Sequence, residues 1–316
     1  MKYGVLSGGK KIRSSIIFAA GKLYNLKSNA KKIDSFLRNY LKGQKKSLLI
    51  KPMNYGVLSG GKKIRSSIIF AAGKLYNVKS NKLLNICGAV ECIHSYSLIH
   101  DDLPCMDDDK LRRGKATAHI KYGESTAVLA GNSLLTLAFE MISDERFKIK
   151  NENKVLLIKK LAECSGHAGI AGGQELDLKY EKKKKKFGEI INMQRKKTGK
   201  LFSFCCFAPG QIAGKDKNTN NKLIKLGEDI GLLFQLADDF LDVKGKSKYT
   251  GKTVNKDKKK GKSTIINLIG YDNAFDYAIN LKKKILRNLK KHGNKAKDLK
   301  DIINFILERK NWWLNY

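Results

Sequence analysis

From Ser80 onward, apolar residues recur at spacings of three and four. In Leu83–His100 they are Leu83, Leu84, Ile86, Val90, Ile93, Leu98 and Ile99. In Leu223–Val243 they are Leu226, Ile230, Leu233, Phe234, Ala237, Phe240 and Leu241. That is the period of one helix face. The runs Thr126–Ile142, Lys154–Cys164, Phe187–Cys206, Asn273–Leu289 and Leu299–Arg309 read the same way. No segment alternates with period two, and no hairpin dipeptide joins two strand-like runs. The pattern predicts an all-α chain with polar, Lys-rich loops at Lys148–Asn153, Tyr180–Lys186, Ala213–Asn221 and Lys244–Lys262. No run reaches the roughly 18 uninterrupted apolar residues of a membrane span. The nearest, Thr126–Ile142, contains Asn132, Ser133, Thr136 and Glu140 and reads as a buried helix. The N-terminus lacks the charged–apolar–small order of a secretory signal, so a soluble, cytoplasmic protein is expected.

The plainest irregularity is a repeat. Residues 1–29 and 53–81 differ only at Lys2/Asn54 and Leu26/Val78. Two near-identical copies do not make a solenoid, which stacks three or more diverged units. The first copy, 1–29, is expected to lie outside the core, with residues 30–316 as one domain. Lys10 and Arg13 of that copy would be vestigial.

The chain has 64 Lys+Arg against 29 Asp+Glu, a formal charge of +35. Such a balance invites a nucleic-acid reading. Nearly all the basic residues are Lys, however, and the run Lys182–Lys186 holds neither Arg for bidentate contacts nor an aromatic for stacking. The excess reads as solvated lysine faces, with no nucleic-acid partner. Six cysteines form no C-x-x-C pair, so buried, reduced thiols are expected.

Against this basic background the acids are concentrated. Asp101, Asp102 and Asp107–Asp109 follow one apolar helix, while Asp238, Asp239 and Asp242 lie within another. Asp238 and Asp242 share a helix face, with Asp239 about 100° round. Pro104 disfavours helix at the residue before it, so the first helix should loosen after Asp102 and let Asp107 return beside Asp101. Carboxylates gathered beside apolar residues repel one another unless a cation joins them. Carboxylate oxygens are what Mg2+ selects, with phosphate oxygens completing its shell. Groups suited to phosphate stand nearby: Ser59–Arg65 opening a helix, Arg112-Arg113, Lys197-Thr198-Gly199, Gly251-Lys252 and Gly261-Lys262.

Together these motifs resemble the polyprenyl (isoprenyl) diphosphate synthases, most closely the bacterial farnesyl diphosphate synthases. The resemblance is carried by Gly60-Gly61-Lys62-Lys63-Ile64-Arg65, Val90 through Asp109, Leu111-Arg112-Arg113-Gly114, Gly172 through Leu178, Lys197-Thr198-Gly199, Phe234-Gln235 and Asp238-Asp239-Phe240-Leu241-Asp242. It implies a single-domain bundle of about ten or more helices around a central cavity, usually paired as a homodimer. It also implies two aspartate motifs, Asp101, Asp102, Asp107 and Asp238, Asp239, Asp242, facing each other across that cavity. These would clamp three Mg2+ ions on an allylic diphosphate. Lys62, Arg65, His94 and Arg113 would hold isopentenyl diphosphate, and Arg112, Lys197, Lys252 and Lys262 the allylic partner. Thr198 and Gln235 would line the region where positive charge develops. Tyr96, five residues before Asp101, would floor the cavity and stop growth at farnesyl diphosphate.

The chain departs from the family pattern in places. Ser66 stands for a proline, Lys63 for an arginine and Asn132 for an aspartate; Pro209 interrupts a segment helical in the family; Trp312–Tyr316 runs past the usual end. The nearest rivals are a geranylgeranyl diphosphate synthase and a non-catalytic partner subunit. The second fits poorly, because such subunits lose one aspartate motif and both are complete here.

Overall fold

The structure, a computed structural model, describes residues 26–244 and 264–308. Lys10, Arg13, Lys252, Lys262 and the Trp312–Tyr316 tail lie outside the described residues. The described residues are almost wholly helical: α1 (26–42), α2 (Ile50–Val57), α3 (Ile64–Leu75), α4 (Leu84–Asp101), α5 (Ala118–Tyr122), α6 (Glu124–Ser143), α7 (Asn151–Ser165), α8 (Ile170–Tyr180), α9 (Phe187–Gln194), α10 (Lys200–Ile212), α11 (Lys217–Lys244), α12 (Ile265–Ile269), α13 (Tyr271–Asn288) and α14 (Lys297–Glu308). Helices α3 and α10 are buried along nearly their whole length and form the centre. Helix α10 packs on α3, α7 and α11, and α4 lies along α6.

Two expected loops are shorter than their polarity suggests. Helix α11 begins at Lys217, inside the expected 213–221 loop, because Asp216 caps it. Its Oδ1 accepts the Thr219 N–H at 2.8 Å and its Oδ2 the Thr219 hydroxyl at 2.8 Å. Helix α7 likewise starts at Asn151, within the expected 148–153 loop. Polar first turns carry no apolar period, which hides them from a hydrophobicity reading.

The expected single helix Phe187–Cys206 is two helices joined by a π-turn, Arg195–Gly199. Pro209 does not interrupt α10, contrary to expectation. It removes one backbone donor, but its fixed φ is helical, and the next turn still closes with Ala213 N–H on the Pro209 carbonyl at 3.0 Å. A two-residue antiparallel ribbon, Leu111–Arg112 with Lys115–Ala116, was too short to register as alternation. Its turn residues Arg113 and Gly114 both have positive φ (54° and 73°), the geometry that matches a tight hairpin.

Helix α6 is only half the buried helix expected. Ala127, Ala130, Gly131, Leu134, Leu137, Ala138 and Met141 pack inward, but Leu129 is 52% exposed and Val128 37%. Among the described residues it is the one helix long and apolar enough to cross a membrane.

The boundary expected at residue 30 falls inside α1. Residues 26–29 are its first turn, and Leu26 is buried in the core. In the second copy the identical tripeptide is not α-helical: Lys79 is extended, and Ser80 and Asn81 open a 3-10 turn, Ser80–Leu83. Tertiary position, not local sequence, decides between them.

Candidate active site

Helix α4 ends at Asp101, and the chain turns back through Pro104 so that the Asp107 N–H donates to the Asp101 carbonyl at 2.8 Å. The return of Asp107 to Asp101 expected from the proline is present. Burial pushes the Asp101 carboxyl above its usual range; Lys197 pulls it down and Asp107 pushes it up, with smaller contributions from Arg112 and Asp102. Asp102 is 3% exposed, and both its carboxylate oxygens accept from the Arg112 Nε, at 2.8 and 2.7 Å, with a further bond to Oδ1 from the Arg112 Nη2. Burial opposes the charge on Arg112, yet these bonds and the neighbouring acids hold its pKa above the ordinary value.

The second motif lies on α11. Asp239, 3% exposed, accepts the Gln194 amide at 3.2 Å and the Gln235 amide at 2.9 Å. Gln235 in turn accepts the Thr198 hydroxyl at 3.1 Å. Thr198 and Lys197 sit in the π-turn, whose neighbours come close enough to need glycine on both sides. A Cβ on Gly173 of α8 would lie 2.1 Å from the Lys197 nitrogen, and one on Gly231 of α11 2.7 Å from the Gly199 Cα. Lys197 Nζ binds Asp177 at 2.7 Å while also acting on Asp101. Thus the π-turn bonds to the second aspartate motif through Thr198 and Gln235, and the charge of Lys197, held by Asp177, acts on Asp101 of the first.

A basic cradle lies beside them. The loop before α3 has positive φ at Gly60, Gly61 and Lys63. Arg113 donates to the Ser59 hydroxyl at 3.2 Å and to the Gly60 carbonyl. Arg65 lies over Phe202 at 4.9 Å, is lowered by burial, and feels both Glu91 and Asp238. Its Nε is buried with no hydrogen-bond partner among the described residues. Burial, then Arg65, Arg113, Lys63 and Arg112, hold His94 well below the usual histidine value. Lys62 stands over Phe305 at 4.9 Å. An unpartnered buried guanidinium donor among several cations suits an anion with several oxygens.

Sequence reasoning left Glu91, Gln174 and Asp177 without roles. Glu91, 3% exposed, accepts the Ser66 hydroxyl at 2.7 Å and lies 3.5 Å from Lys63. Both departures at the cradle, Ser66 and Lys63, therefore meet one carboxylate. Gln174 is buried with neither amide atom hydrogen-bonded among the described residues. It directly follows Gly173, the residue that meets the π-turn. Tyr96 is buried; its hydroxyl donates to the Ser165 carbonyl at 3.1 Å, its ring meets His100 edge-on, and burial raises its pKa to about 12. His100 packs against α6, its Nε2 3.1 Å from the Val128 carbonyl. Asn132 is exposed on α6.

The donor set suits a hard cation. Among the described residues no three His, Cys, Asp or Glu side chains converge to enclose a metal by themselves.

The polyprenyl synthetase family matches residues 46–306. The farnesyl diphosphate synthase of Escherichia coli is 40% identical over 266 residues, 83% of this chain and 89% of that protein. Among solved structures, an FPP/GFPP synthase from Zymomonas mobilis superposes with a TM-score of 0.82 at 34% identity, covering 92% of this chain and 99% of that one. A geranyltransferase from Helicobacter pylori, complexed with magnesium and isoprenyl diphosphate, gives 0.76 at 32% identity over 90% and 96%. This chain belongs to the polyprenyl synthetase family.

Proposed function

We propose that the chain is a cytoplasmic, magnesium-dependent prenyltransferase that condenses isopentenyl diphosphate with dimethylallyl and geranyl diphosphates to give farnesyl diphosphate. The observation that carries this reading is the π-turn, where Thr198 bonds Gln235, which Asp239 of the second motif holds, and where the charge of Lys197 acts on Asp101 of the first. Lys62, Arg65, His94 and Arg113 bind the isopentenyl diphosphate. Arg112 and Lys197 bind the allylic diphosphate, with Lys252 and Lys262 from outside the described residues. Lys197 exchanges Asp177 for a substrate oxygen. Asp101, Asp107, Asp238 and Asp242 hold Mg2+, three ions in all by family resemblance. Asp102 orients Arg112, and Asp239 orients Gln235. When bound, the metal neutralises diphosphate charge and makes it a better leaving group.

The allylic carbon–oxygen bond breaks with its electron pair leaving on diphosphate. Asp239 accepts the Gln235 amide N–H, Gln235 accepts the Thr198 hydroxyl, and the oxygens of these two side chains face the positive charge that develops. The isopentenyl double bond attacks the allylic carbon, and a proton is lost to the departing diphosphate. No side-chain nucleophile takes part. Purified protein with labelled isopentenyl diphosphate and an allylic primer should yield farnesyl diphosphate only with Mg2+. Metal-independent product, or none, would defeat the reading.

Product length depends on Tyr96, whose hydroxyl is tied to the end of α7. Tyr96→Ala is expected to shift product from farnesyl toward geranylgeranyl and longer diphosphates. An unchanged farnesyl product on chromatography would remove Tyr96 from this role.

The working unit is a homodimer formed through the exposed apolar side of α6, with the synthase domain starting at α1. A chain beginning at Leu26 is therefore expected to keep full turnover and to sediment at twice its own mass. A monomeric mass would remove the second copy, and lost turnover would give residues 1–25 a role.

A further inference from the structure

The π-turn is held on two sides by different chemistry. Toward the site, its contacts are Lys197 on Asp177 and Thr198 on Gln235. Away from it, Arg195 binds Asp229 at 2.8 Å and lies 3.6 Å from Glu228, which Lys200 binds at 2.7 Å. Asp229 is 1% exposed and also accepts Lys284 of α13 at 2.8 Å. Gly173 and Gly231 fix how far the turn can slide toward α8 or α11. Its roll is set by the backbone bonds of the π-helix, including the Lys200 N–H to the Arg195 carbonyl, and by these side-chain anchors.

We infer that Arg195 and Asp229 are positioning residues that hold the π-turn while Lys197 leaves Asp177 for substrate. The inference rests on the roles proposed above for Lys197 and Thr198. The site-side contacts are the ones substrate must loosen, since the same groups bind it. A charge-assisted bond to a carboxylate shielded from water is the anchor that does not exchange. Asp229 binds the turn through Arg195, and Lys284, its second and partly exposed cation, comes from α13.

The test compares Arg195→Gln, Arg195→Lys, Asp229→Asn and Lys284→Gln with the parent chain, measuring melting temperature, kcat and both KM values. Positioning predicts that Arg195→Gln lowers kcat about tenfold or more, since small misplacements of reacting groups are costly. KM for isopentenyl diphosphate, bound at the separate cradle, should stay at the parental value. Arg195→Lys should recover part of the loss. Lys284→Gln should lower the melting temperature while kcat stays within about twofold, because Asp229 keeps Arg195. Parental kcat in Arg195→Gln, or in Asp229→Asn should the first variant not fold, overturns the inference. So does an equal kcat loss in Lys284→Gln. A parent chain without Mg2+-dependent condensation would defeat the proposed function and this inference with it; a working parent with an unaffected Arg195→Gln defeats the inference alone.

Discussion

Asp101→Asn is expected to lower turnover by about 10³-fold or more while leaving the metal-free protein at least as stable as the parent. The two effects have one source. Asp101 is held near Asp107 and Asp102 in surroundings that disfavour its charge, with Lys197 and Arg112 only partly offsetting them. A carboxyl raised above its unfolded value costs stability once pH rises through that raised value, and the cost is absent in acid. The neutral amide removes it, so in chelator-treated buffer near neutral pH the variant should melt no lower than the parent. The same substitution removes an anionic oxygen from the proposed metal site, where the negative charge is used. Melting curves with chelator and turnover with saturating Mg2+ separate these effects. A variant that melts clearly lower, or keeps more than about a tenth of parental kcat, would show that Asp101 serves the fold instead.

Why Asp101 was legible in the sequence, and its partners were not, follows from the range of each signal. The helices α4 and α11 announce themselves through apolar spacing, and the acids stand out against an excess of lysine. Pro104 even marks where α4 must loosen. These are local features. The pairings that make the site are between residues far apart in the chain: Ser66 with Glu91, Lys197 with Asp177, Arg195 with Asp229. Nothing in the spacing of one segment names its partner in another. Ser66 and Lys63 looked like unrelated departures from the family pattern until both met Glu91. The π-turn was hidden because its insertion does not break the apolar run on either side of it. The capped start of α11 was hidden because Asp216 and Thr219 carry the signal in hydrogen bonds, not in hydrophobicity.

The same distinction separates the aspartates of each motif, which the sequence treats alike. Asp102 differs from Asp101 because Arg112 occupies both its oxygens, and its side chain has no other partner among the described residues. Its side chain is 4% exposed and that of Arg112 15%. Arg112→Met would therefore strand a buried carboxylate, a change that costs about 3–5 kcal/mol when one partner of a buried pair is removed. Urea denaturation at neutral pH should show that loss, and turnover should fall as the allylic diphosphate loses a cation. Adding Asp102→Asn to Arg112→Met removes the stranded charge, so most of the stability should return. Turnover should not, because the missing guanidinium is still missing. The double variant thus separates what Arg112 does for Asp102 from what it does for substrate. If the double variant is as unstable as Arg112→Met, the loss comes from packing around the ribbon; if its turnover recovers with its stability, Arg112 acts on the fold and not on the diphosphate.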